Sequence, residues 1–226
     1  MKFTNVSLYG EDFKFKKCDV CVENGAFADR ESLIAALNAP ENGELRRKWS
    51  AWGAKRLATW CAAVREAVGD EVDLLIEGHG RFNIPTAVKI ANELAPFRPM
   101  FFEEPTPPDN LDALREVKER SPVPIAAGER LYTRYDYRPM FDKMAADYIQ
   151  PDISHAGGIM ELKKIAAEAE SRYIPFAPHN PSGPVANAAT LQLAATCQNF
   201  EILEIMYSDV PWRADVTNES LVYKDG

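Results

Sequence analysis

Six residues in the chain have the right types and spacing for chemistry at a single centre. Glu77, Glu103 and Glu129 are 26 residues apart and then 26 again, and Asp152, His179 and Glu204 follow at intervals of 23, 27 and 25. Each stands where a short apolar run gives way to a polar segment. Three carboxylates brought to one point repel each other unless a divalent cation lies between them, and an all-oxygen donor set favours a hard ion, Mg²⁺ rather than Zn²⁺. Glu77, Glu103 and Glu129 are therefore the candidate metal ligands. His79 is two residues past Glu77 and, at strand spacing, points to the same side. An Asp152 carboxylate beside His179 would fix the imidazole tautomer and raise its pKa, making His179 a general base. Glu204 adds a further acid. His155 follows Asp152 and reads as a loop residue with no direct part in the chemistry. One divalent metal and two histidines on different sides suit abstraction of a proton α to a carboxylate, with the metal stabilising the enediolate. If the substrate carries a β-hydroxyl, the second histidine can protonate it as it leaves, and the outcome is dehydration.

Bringing these six residues together requires particular elements. Apolar runs at 72–76, 100–102, 124–127, 147–150, 173–177 and 200–203 are short and rich in β-branched and aromatic residues, so they read as buried strands. Between them, helical periodicity predicts helices over 84–94, 111–117 (capped by Asp109 or Asn110), 135–144, 158–169 and 185–195, preceded by a long helix over 46–68. The tryptophan stripe of that first helix reads as core packing. Six strand–helix repeats imply βαβ units and a parallel sheet buried on both faces. An open doubly wound sheet binds at one crevice with a few strand ends. A (β/α)8 barrel gathers all its strand ends at one mouth. Six consecutive strand ends carrying an acid or a histidine, in phase, point to the barrel.

Composition sets the outer limits. The chain has 226 residues, with 26 Lys and Arg against 34 Asp and Glu, for a net charge of -8. That balance argues against nucleic acid or an anionic membrane as partner. No apolar run approaches the roughly 20 residues of a membrane span, and the N-terminus has no apolar signal core. The expectation is a cytoplasmic protein acting on a small molecule. Cys18 and Cys21 form a CxxC with no second ligand pair, and with Cys61 and Cys197 they read as reduced, inert thiols. Residues 1–45 differ from the rest, with short alternating stretches around Phe3–Phe15 and a candidate helix over 31–37.

The motifs LLIEGHGRF (74–82), FFEEPTPPDN (101–110), AAGERL (126–131), IQPDISHAGGI (149–159), APHNPSGP (177–184) and ILEI (202–205) resemble, in order and spacing, the enolase superfamily. Within it they are similar to the mandelate racemase-like group, near sugar-acid dehydratases such as galactonate dehydratase. The resemblance implies that Glu77, Glu103 and Glu129 are metal ligands on the third, fourth and fifth barrel strands. It puts the base dyad Asp152 and His179 on the sixth and seventh strands. Glu204 then binds the substrate carboxylate from the eighth, and His79 is the general acid. The implied activity is Mg²⁺-dependent conversion of an aldonate or aldarate to a 2-keto-3-deoxy acid, by a protein that is commonly a homo-oligomer. A racemase or cycloisomerase on the same site is the sibling reading. The chain departs from the family in carrying Glu77 where Asp is usual. A complete barrel takes about 250 residues, and family members place a capping domain before it. The expectation is therefore an α/β, (β/α)8 TIM-type barrel domain over 46–226, incomplete at its N-terminus, with strands three to eight clear and the capping domain absent. Residues 1–45 would hold a remnant of the second strand, with Lys2 at its lysine position. An inactive, truncated barrel fragment is the competing expectation.

Overall fold

The computed structural model describes residues 51–206 and 210–218. The readings made for residues 1–45, including Lys2 and the Cys18–Cys21 pair, lie outside that range. The first element, α1 (Ala51–Val68), ends at Gly69, whose N–H donates to the Arg65 carbonyl at 3.0 Å with φ at 74°, a left-handed stop that suits glycine. Four strands follow: β1 (Leu75–Glu77), β2 (Phe101–Glu103), β3 (Ile125–Ala127) and β4 (Tyr148–Ile149). Between and after them run α2 (Ile84–Leu94), α3 (Leu111–Arg120), α4 (Thr133–Lys143), α5 (Ile159–Glu170) and α6 (Pro184–Ala194). Local chemistry sets the starts of α2 and α3. Asn83 caps α2 by accepting from the Thr86 N–H at 3.0 Å. Asn110 caps α3 by accepting from Asp112 and Ala113 at 3.1 and 3.2 Å.

The sheet is parallel throughout, in the order β1-β2-β3-β4. Parallel bridges Ile149↔Phe176 and Phe176↔Phe200 extend it by two more strand positions. Strand order never reverses, and from α1 to α6 each helix packs against the next. This is the wall of a barrel, without the switch point of a doubly wound sheet. The predicted strands at 173–177 and 200–203 are corrected to single bridges. Pro175 and Pro178 flank Phe176 and offer no N–H to the ladder, whose bonds there run from Ile149 to Pro175, Phe176 to Asn199, Ala177 to Ile149, Glu201 to Phe176 and Glu204 to Pro178.

Alternation within the strands separates two cores. Phe102, Ile125, Ala127, Ile149 and Phe176 point outward and join Ile90, Leu94, Val117, Phe141, Leu162 and Ile165 of the helices in the main core. Phe101, Ala126 and Ala177, with Met100, Tyr148 and Ile202, form a second, smaller cluster on the inner face. Two residues beyond these inner positions come Glu103, Gln150, His179 and Glu204. Leu75 pairs with Phe101 in register, so Glu77 shares the same phase. The period of two that packs the barrel interior therefore also aims the polar residues at its mouth. No helix among the described residues is long and apolar enough to cross a membrane.

Candidate active site

The first corner of the site is built on a tight turn after β1. Gly78 lets the chain run against β2: a Cβ there would lie 2.8 Å from Phe102 Cε2 and 2.9 Å from the Glu103 carbonyl oxygen. His79 follows in the left-handed region (φ 50°), and its N–H donates to Glu77 Oε1. Donor atoms of Glu77, His79 and Glu129 lie within 4.8 Å of one another. His79 Nδ1 is 3.9 Å from Glu77 Oε1 and 3.8 Å from Glu129 Oε1. Glu103 stands in register with Glu77 on the adjacent strand, and its buried Oε1 has no hydrogen-bond partner. Of the three carboxylates expected as ligands, the structure thus places Glu77 and Glu129 in one close cluster with His79, while Glu103 sits beside them.

This corner is electrostatically crowded. Burial, reinforced by the charges of Glu103 and Glu129, pushes Glu77 up to about 10. Burial and then Glu204 raise Glu103 to about 7. Burial and Arg130 hold the His79 imidazole below its ordinary value. Carboxylates that resist ionising together, next to an orphaned carboxylate oxygen, fit a hard divalent cation as the missing charge.

The second corner is the dyad. Asp152 is fully buried, and its Oδ2 lies 2.7 Å from His179 Nδ1 while its Oδ1 accepts from the Ser154 N–H at 2.6 Å. On the other side of the ring, Nε2 is 2.9 Å from Glu129 Oε2 and 3.8 Å from Glu204 Oε2. Burial opposes a charge on His179, but its bonds to Asp152 and Glu129 prevail and lift the imidazole to about 10. Glu129 responds in the opposite sense: burial would raise it, yet His179, and then Arg130, hold it down to about 2. The His179 bonds likewise outweigh burial at Asp152 and keep it below its ordinary value.

Sequence reading missed three residues that support these two corners. Arg130 Nε lies 3.1 Å from both Glu104 Oε2 and Glu129 Oε1, and Nη2 donates to the His79 carbonyl at 3.3 Å. It thus ties three strand ends together. Glu104, almost fully buried, is pushed up to about 8 by burial and by Glu129. Gln150 is buried at the mouth beside Glu103, whose carboxyl it helps to hold down against burial. Its phase, two residues before Asp152, was a usable signal. His155 lies in a turn, as expected, and the structure adds its neighbours. Its Nδ1 lies 3.1 Å from the Glu129 carbonyl oxygen, and its ring is 6.3 Å from that of His179. Among the thiols, Cys61 is buried and pushed up to about 11 by that burial, as suits an inert side chain.

Residues 39–226 match the model of the enolase C-terminal domain-like family. The chain belongs to that family. The enolase-like domain is 41% identical to a D-galactonate dehydratase from Variovorax paradoxus over 143 residues, 63% of this chain and 37% of the relative. A D-galactonate dehydratase from Xanthomonas euvesicatoria is 40% identical over the same length. A mandelate racemase/muconate lactonizing enzyme-like protein from Rubrobacter xylanophilus superposes with a TM-score of 0.71 at 46% identity, covering 74% of this chain and 42% of the other. An enolase and candidate galactarate dehydratase from Agrobacterium radiobacter, solved with Na and L-malate bound, superposes at 0.65 with 39% identity, covering 68% and 40%. The enolase-like chain thus spans well under half the length of these relatives.

Proposed function

We propose that the protein dehydrates a sugar acid, an aldonate or aldarate, to a 2-keto-3-deoxy acid with Mg²⁺ as cofactor. The observation that carries the reading is the placement of two imidazoles against one carboxylate: His79 Nδ1 approaches Glu129 Oε1 at 3.8 Å and His179 Nε2 approaches Glu129 Oε2 at 2.9 Å. A proton acceptor and a proton donor thereby flank the group at which a cation would sit. The similarity to D-galactonate dehydratases supports the same reading.

Glu77, Glu103 and Glu129 would hold the ion, with the His79 ring beside it. When bound, Mg²⁺ supplies positive charge against the negative charge that develops on the substrate carboxylate. His179 takes the proton α to that carboxylate at Nε2. Asp152, bonded to Nδ1, keeps the ring oriented and stabilises the imidazolium that results. His79 then donates a proton to the departing β-hydroxyl, which leaves as water. Glu204, 3.8 Å from His179 Nε2, binds the substrate at the far side of the mouth.

The test is turnover of acid sugars with and without Mg²⁺, followed as keto product and as solvent deuterium at the α-carbon. His179→Ala is expected to lose about 10²- to 10⁴-fold in rate. Unchanged turnover in that variant would sink the base assignment. Deuterium exchange without keto product would turn the reading towards racemisation.

A further inference from the structure

All three histidines of the chain, His79, His155 and His179, gather at one mouth, yet the chemistry above uses only two. The third is held with unusual care for an exposed side chain. Its loop is anchored on the dyad acid. Asp152 Oδ1 accepts from Ser154, and the Asp152 carbonyl accepts from His155 at 3.1 Å and from Ala156 at 2.8 Å. Gly157 (φ 108°) and Gly158 (φ 82°) then turn the chain into α5. The ring itself is pinned by Nδ1 to the Glu129 carbonyl oxygen. A carbonyl can only accept, so Nδ1 carries the hydrogen, and the neutral ring offers Nε2 as a hydrogen-bond acceptor. The His179 ring lies at 6.3 Å and the ring of Tyr132, itself 59% exposed, at 6.4 Å. His155 is thus a ring neighbour both of exposed Tyr132 and of His179.

We propose that His155 is a specificity-determining residue: its Nε2 accepts a hydrogen bond from a hydroxyl of the substrate beyond the reacting carbons, and so selects among epimeric polyhydroxy acids. Centroids 6.3 Å apart put both rings within reach of one small molecule, so a substrate whose α-carbon meets His179 has its neighbouring carbons against His155. The chemical class follows from the acceptor. A hydroxyl is a donor an imidazole nitrogen can read, whereas a deoxy or inverted centre leaves that nitrogen unpaired, and sites built on a hydrogen bond reject such analogues well. The inference rests on the dehydratase reading.

The test compares the protein with its His155→Phe and His155→Gln variants, in Mg²⁺, on a panel of aldonates and aldarates differing at single hydroxyl centres beyond C3. Phenylalanine keeps a ring beside Tyr132 and His179 but has no acceptor, whereas glutamine restores one. His155→Phe is expected to raise KM for the preferred acid about tenfold with kcat within about threefold, and to flatten the preference among epimers. His155→Gln is expected to recover most of the lost KM. The inference alone is overturned if turnover persists and His155→Phe keeps the parent KM and preference, if only kcat falls, or if His155→Gln is as poor as His155→Phe. If the parent protein neither turns over nor exchanges the α-proton of any acid in the panel, the dehydratase reading falls, and this inference with it.

Discussion

At the residue scale, the decisive contact is between His179 Nε2 and Glu129 Oε2 at 2.9 Å. A base must be unprotonated to act, but this ion pair, with Asp152 behind the ring, lifts His179 to about 10. Glu129 cannot serve both the imidazolium and a cation at full strength. Binding Mg²⁺ is therefore expected to lower the His179 pKa from about 10 towards neutrality, as read from imidazole ¹⁵N shifts across a pH titration. With only three histidines in the chain, assignment is tractable. A His179 that still titrates near 10 with Mg²⁺ bound would exclude it as base at neutral pH. The residue types at the six strand ends were legible because each is a charged or titratable group breaking an apolar run. Arg130 and Glu104 were not legible as a clamp. Each reads as an ordinary charged neighbour of a ligand, and only the fold shows that Arg130 spans the ends of β1, β2 and β3.

At the scale of elements, the site depends on how the strands end. Gly128 lies between β3 and Glu129 with φ at 137°, and a Cβ there would meet Tyr137 Oη at 2.8 Å. The Tyr137 hydroxyl also donates to the Gly128 carbonyl at 2.5 Å. Gly128→Ala is expected to cost about 2 kcal/mol or more in chemical denaturation, through strain and clash together. It should also weaken Mg²⁺ binding by displacing Glu129. Asn110→Ala is the contrast: it removes the α3 cap and should cost about 1 kcal/mol while leaving Mg²⁺ affinity unchanged. Equal effects on Mg²⁺ from both variants would mean that the two act through global stability alone. Helix positions were largely readable, since apolar spacing and Asx caps are local signals, and α2 begins and ends where its pattern predicts. The strand positions at 176 and 200 were readable in place but not in length. A proline's missing N–H matters only once its neighbours in the sheet are known.

At the scale of the whole molecule, titration couples the site to stability. Glu77, Glu103, Glu104 and His179 have folded pKa values of about 10, 7, 8 and 10, all above their ordinary values of 4.5 and 6.5. Each favours the fold while protonated, and that contribution is lost as pH rises from the ordinary value through the folded one. Glu129 and Asp152 are held low, so their contribution is lost only as pH falls below their ordinary values. Metal-free protein is thus expected to be most stable in mildly acidic solution and to lose stability progressively towards pH 10. Added Mg²⁺ should raise Tm by an amount that grows with pH, since the ligands must be deprotonated to bind. A gain that shrinks with pH in thermal melts would overturn the metal assignment. Sequence alone determined the barrel class, the chain order of the strands and the polar residue at each strand end. These are written in local periodicity and in intervals of 23 to 27 residues. Only the tertiary structure decided which of those residues touch. It paired His179 with Glu129, put His79 in the close cluster with Glu77, drew Arg130 across three strands and brought His155 beside His179. Such contacts depend on side-chain reach, turn conformation and burial across the barrel mouth, and these arise only when residues distant in the chain are packed together.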